Sequence, residues 1–343
     1  MVKLSPRVGA MGGVIAVVAC LSAAAGAIYG VVSFPDTPIF SLLRGAITGA
    51  AISLLITVFE YLIAVGVLQP VRQLPVGLLV ALRSIVYTVL IIVGYEFGRL
   101  VALAPDEQIF EFDAFFWRTV WISLGVSFVV NAGLEVSRLL GAEVLWGLLI
   151  GRYLLPRVEE RIVLFVDLKD STSHAETLGD LKFHELLNQF FRDVSHAVLL
   201  TRGSIYKYNG DAAIVLWRPR RGLRNGAALR CILELQRQIE GRTEVYRRRF
   251  GIVPGFRAGL HIGKVVVGEI GDMRHEIAYS GDAMNTAARI EQATRELDVD
   301  LLLSAAVAEK LPPVQDVVLQ PVGSVAIPGK AAKLALYTAR WSA

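Results

Sequence analysis

The chain has 343 residues, 54% of them hydrophobic, with a mean hydropathy of +0.52, against about 45–50% apolar content in ordinary soluble domains. That balance excludes a single soluble domain: the apolar residues concentrate before residue 150 and the charges after it, so one half reads as membrane-embedded and the other as aqueous. A formal net charge of +4 is mild, and the run Arg218, Arg220, Arg221, Arg224 suits a solvated face or anionic headgroups better than a nucleic-acid groove, so no nucleic-acid partner is expected. Two cysteines, Cys20 in an apolar run and Cys231 in a predicted helix, are too few for a disulfide framework and read as reduced.

A helix needs about 20 apolar residues to cross the hydrocarbon core, and four stretches qualify: about 9–33, 45–68, 76–98 and 115–135. They predict an α-helical membrane bundle over 1–136. The first is too long for a signal-peptide core and lacks a small-residue cleavage site, so it reads as a retained span. Lys3 and Arg7 precede it, Arg72 lies between spans two and three, and Arg152, Arg157 and Arg161 follow span four; the other connections carry Asp36, Asp106, Glu107 and Glu111. This asymmetry predicts a multi-pass cell-membrane protein with both termini and the aqueous half in the cytoplasm. Glu60 lies about 8 residues before the end of span two and Arg83 about 7 after the start of span three. In an antiparallel hairpin they reach similar depth, and an ion pair between them is expected, against the alternative that each snorkels to the headgroups.

From Ser137 to Ile150 apolar residues recur at three and four positions, a helical stripe suited to self-pairing in a dimer and weakened by Gly141 and Gly147. It ends at Pro156, and Arg157-Val158-Glu159-Glu160-Arg161 reads as charged linker. The predicted organisation is therefore 1–136 membrane, 137–158 helical linker and 159–343 catalytic.

Arg161 to Asp167 is a continuous apolar run ending in a carboxylate, as a buried strand does. A helix is predicted over about 172–200, then strands 203–208 and 212–217 across Asn209-Gly210, which puts Asp211 just past a tight turn. A long helix over about 222–250 follows, then strands at 256–262, 264–270 and about 275–280, a helix at 282–296, a strand at 299–304 and two more in the tail. Strand, helix, hairpin, helix, strand is the order of an α+β ferredoxin-like core with additions.

A strand-end Asp167 and a turn Asp211 can converge at one sheet edge, where two carboxylates repel unless protonated or bridged by cations, magnesium being the expected bridge. Ser171 or Thr172 can cap the next helix, whose free amides face the same edge and can hold a triphosphate. Neither is a nucleophile candidate, since no histidine or acid is spaced to activate it. In Gly281-Asp282-Ala283-Met284-Asn285-Thr286-Ala287-Ala288-Arg289, Asn285 and Arg289 stand at i and i+4 on one helix face, an amide and a guanidinium suited to a sugar and a phosphate. The five histidines show no metal-ligand spacing, and His261 reads as packed.

These residues resemble the class III nucleotidyl cyclases, which make cyclic AMP or cyclic GMP from the triphosphate. Phe165-Val166-Asp167, Gly210-Asp211 and Gly281 to Arg289 match, in order, the family's strand-end Phe-x-Asp, its Gly-Asp hairpin and its Gly-Asp-x-x-Asn-x-x-x-Arg helix. The acidic hairpin signature of diguanylate cyclases is lacking in Tyr208-Asn209-Gly210-Asp211. The resemblance implies that Asp167 and Asp211, with the backbone carbonyl of Leu168, hold two Mg²⁺ or Mn²⁺ ions. These activate the ribose 3′-hydroxyl and neutralise phosphate charge. It makes Asn285 the residue that orients the ribose and Arg289 the one that stabilises the α-phosphoryl transition state, with Arg257 and Lys330 gripping the triphosphate and Lys333 a rival to Lys330.

Lys207 resembles the lysine that contacts adenine in adenylate cyclases, which favours ATP. Its usual partner position, seven residues before Asn285, is Ala278, which has no side-chain acceptor, so GTP or relaxed specificity stays open. In the family the metal aspartates of one chain face the Asn and Arg of another, which implies a homodimer with composite sites. The rival reading is a catalytically silent membrane receptor that uses the same fold to dimerise or bind nucleotide.

Overall fold

The apolar runs fold as helices in the first of two units, Met1–Leu145: α1 (Pro6–Ser33), α2 (Pro38–Ala64), α3 (Val76–Val101) and α4 (Ala114–Leu140). The computed structural model describes residues 6–33, 38–64, 74–101, 114–140, 144–145, 147, 150–153, 155–273, 276–315, 317–326 and 333–341. Helices α1 and α2 each start on a proline, whose missing N–H costs nothing at a first helical position. Among the described residues, Pro38–Ile63, Val76–Gly98 and Phe116–Ser137 are long and apolar enough to cross a membrane, and α1 contributes the shorter apolar segment Val18–Val32. Lys3, Asp36, Arg72, Asp106, Glu107 and Glu111, on which the predicted orientation draws, lie outside the described residues.

Helices α1 and α2 meet backbone to backbone. A Cβ on Gly26 would lie 2.1 Å from the Gly45 carbonyl oxygen, and one on Gly30 would lie 2.1 Å from that of Ser41, the close approach that small residues permit between membrane helices. The expected Glu60–Arg83 pair is present, Arg83 Nη2 lying 3.5 Å from Glu60 Oε2. It has a further partner that lies within the fourth predicted span but was not singled out there: Glu135 of α4, whose Oε1 accepts from Arg83 Nη1 at 3.0 Å. Tyr87 Oη donates to Glu60 Oε1 at 2.8 Å. Arg83, 3% exposed, thus ties α2, α3 and α4 together.

Part of the stripe over 137–150 lies outside the described residues; its start extends α4 to Leu140. In the second unit, Trp146–Ala343, β1 spans Arg157–Leu168, so the charged run read as linker is strand. Its charges are accommodated because Glu159 accepts from Arg152 at 2.8 Å and from Arg161. Burial acts to raise the Glu159 carboxyl, but the two guanidiniums outweigh it and hold it below the usual carboxylate range.

Next come α5 (Ser171–Leu178) and α6 (Asp180–Leu200), separated at Gly179, whose φ of +73° breaks what the pattern read as one helix. The hairpin strands are β2 (Ser204–Asn209) and β3 (Ala212–Trp217). After a single turn at Pro219–Gly222, α7 (Ala227–Glu240) and α8 (Thr243–Phe250) share the segment read as one long helix, parting at Gly241-Arg242. Then follow β4 (Phe256–Ile270), β5 (Glu276–Ser280), α9 (Asp282–Glu296), β6 (Leu301–Ser304), β7 (Val317–Val325) and β8 (Leu334–Trp341). The two strands expected between 256 and 270 are one: Gly263 is a packing glycine and not a turn, since a Cβ there would lie 2.9 Å from that of Ala283.

The sheet order is β2-β3-β1-β4-β6-β8-β7, with β5 also on β4; β1 is antiparallel to β3 and β4. The first four strands and their helices form the predicted ferredoxin-like core. Side chains of β1 alternate between two faces. Ile162, Leu164 and Val166 pack with Leu186 and Phe190 of α6 and Leu229 and Ile232 of α7. Val163 packs with Ala283, Met284 and Ala287 of α9 on the other face.

Candidate active site

Asp167 has the parity of Val163 and so belongs to the α9 face, next to last in β1. Across the sheet it is registered with Ala212 of β3 and Arg257 of β4. Leu168, buried at the strand end, donates its amide to the carbonyl of Asp211 at 3.3 Å. Asn209 pairs with Ala212, so the two turn residues are Gly210, at φ +62°, and Asp211 itself, which sits in the turn instead of just past it. The hairpin therefore carries Asp211 to the strand end where Asp167 exits.

The electrostatics follow from that convergence. Asp167 is 7% exposed; burial pushes its carboxyl above the usual range, and repulsion from Asp211 adds to the rise, against the pull of Arg295 and Arg257. Arg295, in the last turn of α9, donates from Nη2 to Asp167 Oδ2 at 2.6 Å. A second carboxylate on the same helix, Glu291, is buried and pushed up to about 7, by burial first and then by Asp167. Its Oε1 has no hydrogen-bond partner among the described residues. Neither Glu291 nor Arg295 was anticipated, although they repeat the i, i+4 spacing that singled out Asn285 and Arg289.

Helix α9 lies directly on β4 because Gly259 has no side chain: a Cβ there would meet the Glu291 amide nitrogen at 2.4 Å and the Ala287 carbonyl oxygen at 2.7 Å. This contact sets how far along the sheet each α9 residue falls. Asn285 is exposed, and it stands ten residues before Arg295, or about 15 Å along the helix axis at about 1.5 Å per residue. Arg289 is half-buried and has no ion pair among the described residues. One chain thus brings together Asp167, Asp211, Arg257, Glu291 and Arg295 at the end of β1, and Asn285 lies six residues before Glu291, about 9 Å along the helix.

Helix α5 starts at Ser171, but its N-cap is Asp170 in a left-handed conformation at φ 53°, with no side-chain capping bond. The expected capping by Ser171 or Thr172 is therefore not made: both residues already lie inside the first helical turn. Lys207 of β2 is exposed and donates from Nζ to Glu276 Oε1 at 3.0 Å. Glu276 occupies the same face of β5 as half-buried Ala278, two residues on. His261 is packed, its Nδ1 lying 2.8 Å from Ser304 Oγ. Lys330 lies outside the described residues, and Lys333 is exposed.

The donor set suits a small divalent cation. Among the described residues no three His, Cys, Asp or Glu side chains gather as a protein cage; buried Asp167 and half-buried Asp211 stand at the end of β1. Mg²⁺ is bound in that way, by one or two carboxylates with the remaining positions left to phosphate oxygens and water.

The sequence profile of the adenylate and guanylate cyclase catalytic domain matches residues 155–339. The chain is 37% identical over 254 residues to adenylate cyclase 2 of Rhizobium meliloti, covering 73% of this chain and 70% of that protein. It is 27% identical over 187 residues to an adenylate cyclase of Anabaena cylindrica, covering 51% of this chain and 36% of that one. A bacterial light-regulated adenylyl cyclase of solved structure shares the fold, with a TM-score of 0.55 at 21% identity over 66% of each chain. With residues 155–339 matched by that profile and its strand-end Asp, Gly-Asp hairpin and Asn-x-x-x-Arg helix assembled on that fold, the chain belongs to the adenylate and guanylate cyclase family.

Proposed function

We propose that the protein is a membrane-bound adenylate cyclase that converts ATP to 3′,5′-cyclic AMP and pyrophosphate in a homodimer. The observation that carries this reading is the convergence of Asp167 and Asp211 at the end of β1, sealed by the Leu168–Asp211 backbone bond. The choice of ATP is supported by the relatives named adenylate cyclases and by Lys207, a donor suited to an adenine ring nitrogen.

Asp167 and Asp211, with the Leu168 carbonyl, are the oxygens that would hold two Mg²⁺ or Mn²⁺ ions, which supply Lewis acidity at the 3′-hydroxyl and neutralise phosphate charge. The ribose 3′-hydroxyl gives up its proton to solvent, its oxygen bonds to the α-phosphorus as the bond from that phosphorus to the α,β-bridging oxygen breaks, and pyrophosphate leaves. Arg289 opposes the charge that builds on the α-phosphoryl group, a task suited to a planar fixed cation. Asn285 orients the ribose, Arg257 and Lys330 hold the polyphosphate, and the amides at the start of α5, at Ser171 and Thr172, add donors to it.

A homodimer is supported by the family's arrangement, in which the aspartates of one chain face the Asn and Arg of another, and by the exposure of Asn285. The apolar helices support membrane anchoring, and the basic residues Lys3, Arg7, Arg72, Arg152, Arg157 and Arg161 support placing both termini and the catalytic unit in the cytoplasm.

Ala278 favours keeping a second substrate in view, because it offers no side-chain acceptor to the adenine amine and weakens discrimination against GTP. Purified full-length protein, given Mg²⁺ or Mn²⁺ with ATP or with GTP, tests the proposal. Cyclic AMP formation with a higher kcat/KM for ATP is expected; no cyclic product from either nucleotide would leave the receptor reading in its place.

A further inference from the structure

Before any cation arrives, Asp167 already holds one. Arg295 Nη2 sits 2.6 Å from Asp167 Oδ2, on one of the two oxygens through which that residue would meet a metal. The two ends of this pair differ: the Asp167 side chain is 9% exposed and the Arg295 side chain 57%. The carboxylate is fixed at the strand end, whereas the guanidinium reaches in from solvent on a long flexible stem. The other cation facing Asp167 is Arg257, half-buried and opposite it in the β1–β4 register.

The pair is not what seats the helix. Ala283, Met284, Ala287 and Ile290 are buried against the sheet, and Gly259 admits the helix backbone. The contact does have an electrostatic purpose: Asp167, Asp211 and Glu291 are three acids whose charges repel one another at one edge, and Arg295 offsets part of that repulsion.

We propose that Arg295 is a displaceable counter-cation: it orients and neutralises Asp167 in the metal-free enzyme, and a divalent cation must evict it to bind. Arg295 is thus a positioning residue that acts through Asp167 and sets how much divalent cation the enzyme needs. The inference rests on the reading of Asp167 as a metal ligand. It predicts that removing the guanidinium tightens metal binding and selectively weakens the metal-free fold.

The test uses the full-length chain in detergent with Mn²⁺ alone and no nucleotide, following free Mn²⁺ by electron paramagnetic resonance and thermal unfolding with and without the metal. Arg295→Gln is expected to lower the Mn²⁺ Kd by about fivefold, the scale of losing a half-exposed competing ion pair. It should also lower the unfolding midpoint of the metal-free chain while leaving that of the Mn²⁺-saturated chain unchanged. Arg295→Lys, which keeps a cation on a flexible stem, should stay close to wild type. An unchanged or weaker Kd, or midpoints that fall equally with and without Mn²⁺, would overturn the proposal and make the pair purely structural. A wild-type chain that shows the Mn²⁺ competition yet makes no cyclic nucleotide would end the cyclase reading alone.

Discussion

The amide of Leu168 donates to the carbonyl of Asp211 over 3.3 Å, and this one backbone bond fastens the β2–β3 turn to the end of β1. It is why two carboxylates from distant parts of the chain share one edge, and why repulsion from Asp211 adds to the effect of burial on Asp167.

Asp211→Asn keeps the turn geometry and removes one of the two charges. Cyclic AMP formation should fall by about 100- to 1,000-fold, the order of losing several kcal/mol of metal-borne transition-state stabilisation. Size-exclusion chromatography should show the same assembly as wild type, since the backbone bond does not need the carboxylate.

The pH dependence of the metal-free fold carries the signature of Glu291. Its carboxyl is raised from 4.5 to about 7, so the folded chain retains a proton that the unfolded chain has released. Between those values stability falls as pH rises, by up to roughly 3 kcal/mol, and it levels off above them. Glu291→Gln should flatten most of this fall, leaving the smaller part due to Asp167, and should unfold at a higher temperature than wild type above pH 7. Thermal melts across pH 5–8 in the absence of metal measure it.

Gly259→Ala tests the seating of α9. The added methyl meets helix backbone at 2.4 and 2.7 Å, so the helix must lift from β4, at a cost of about 1–3 kcal/mol for overpacking. Thermal unfolding should show that loss. Activity should fall by more than the lost fraction of folded protein explains, because Arg289 and Asn285 move with the helix.

In the N-terminal unit, Arg83→Met would leave buried Glu135 and half-buried Glu60 without their shared cation. Breaking such a cluster from one side costs about 3–5 kcal/mol, and the detergent-solubilised protein should melt well below wild type. Arg83→Met combined with Glu60→Gln and Glu135→Gln should recover much of the loss.

Much of the core was legible because its signals are local. A buried strand ending in Asp167, a Gly-Asp turn and an amphipathic helix from Gly281 each announce themselves within a few residues. Features set by contacts between distant segments were not. Gly263 looks like a break between strands and is a packing position under Ala283. Asp170 takes the capping place assigned to Ser171 or Thr172 because it adopts a left-handed backbone that its short polar side chain tolerates. Glu291 and Arg295 carried a readable spacing, but their importance depends on α9 lying over the end of β1. Glu135 closes the fourth predicted span, but nothing in its local sequence marks it as facing Arg83 of another helix.

Complementation tests the central claim, that each active site takes its carboxylates from one chain and its Asn285 and Arg289 from another. Chains carrying Asp211→Ala and chains carrying Asn285→Ala, each inactive when expressed alone, are co-expressed and assayed for cyclic AMP. Random pairing gives heterodimers with one intact site, and activity should return to about a quarter of wild type. A mixture as inactive as its parents, with heterodimers shown to be present, would contradict the account.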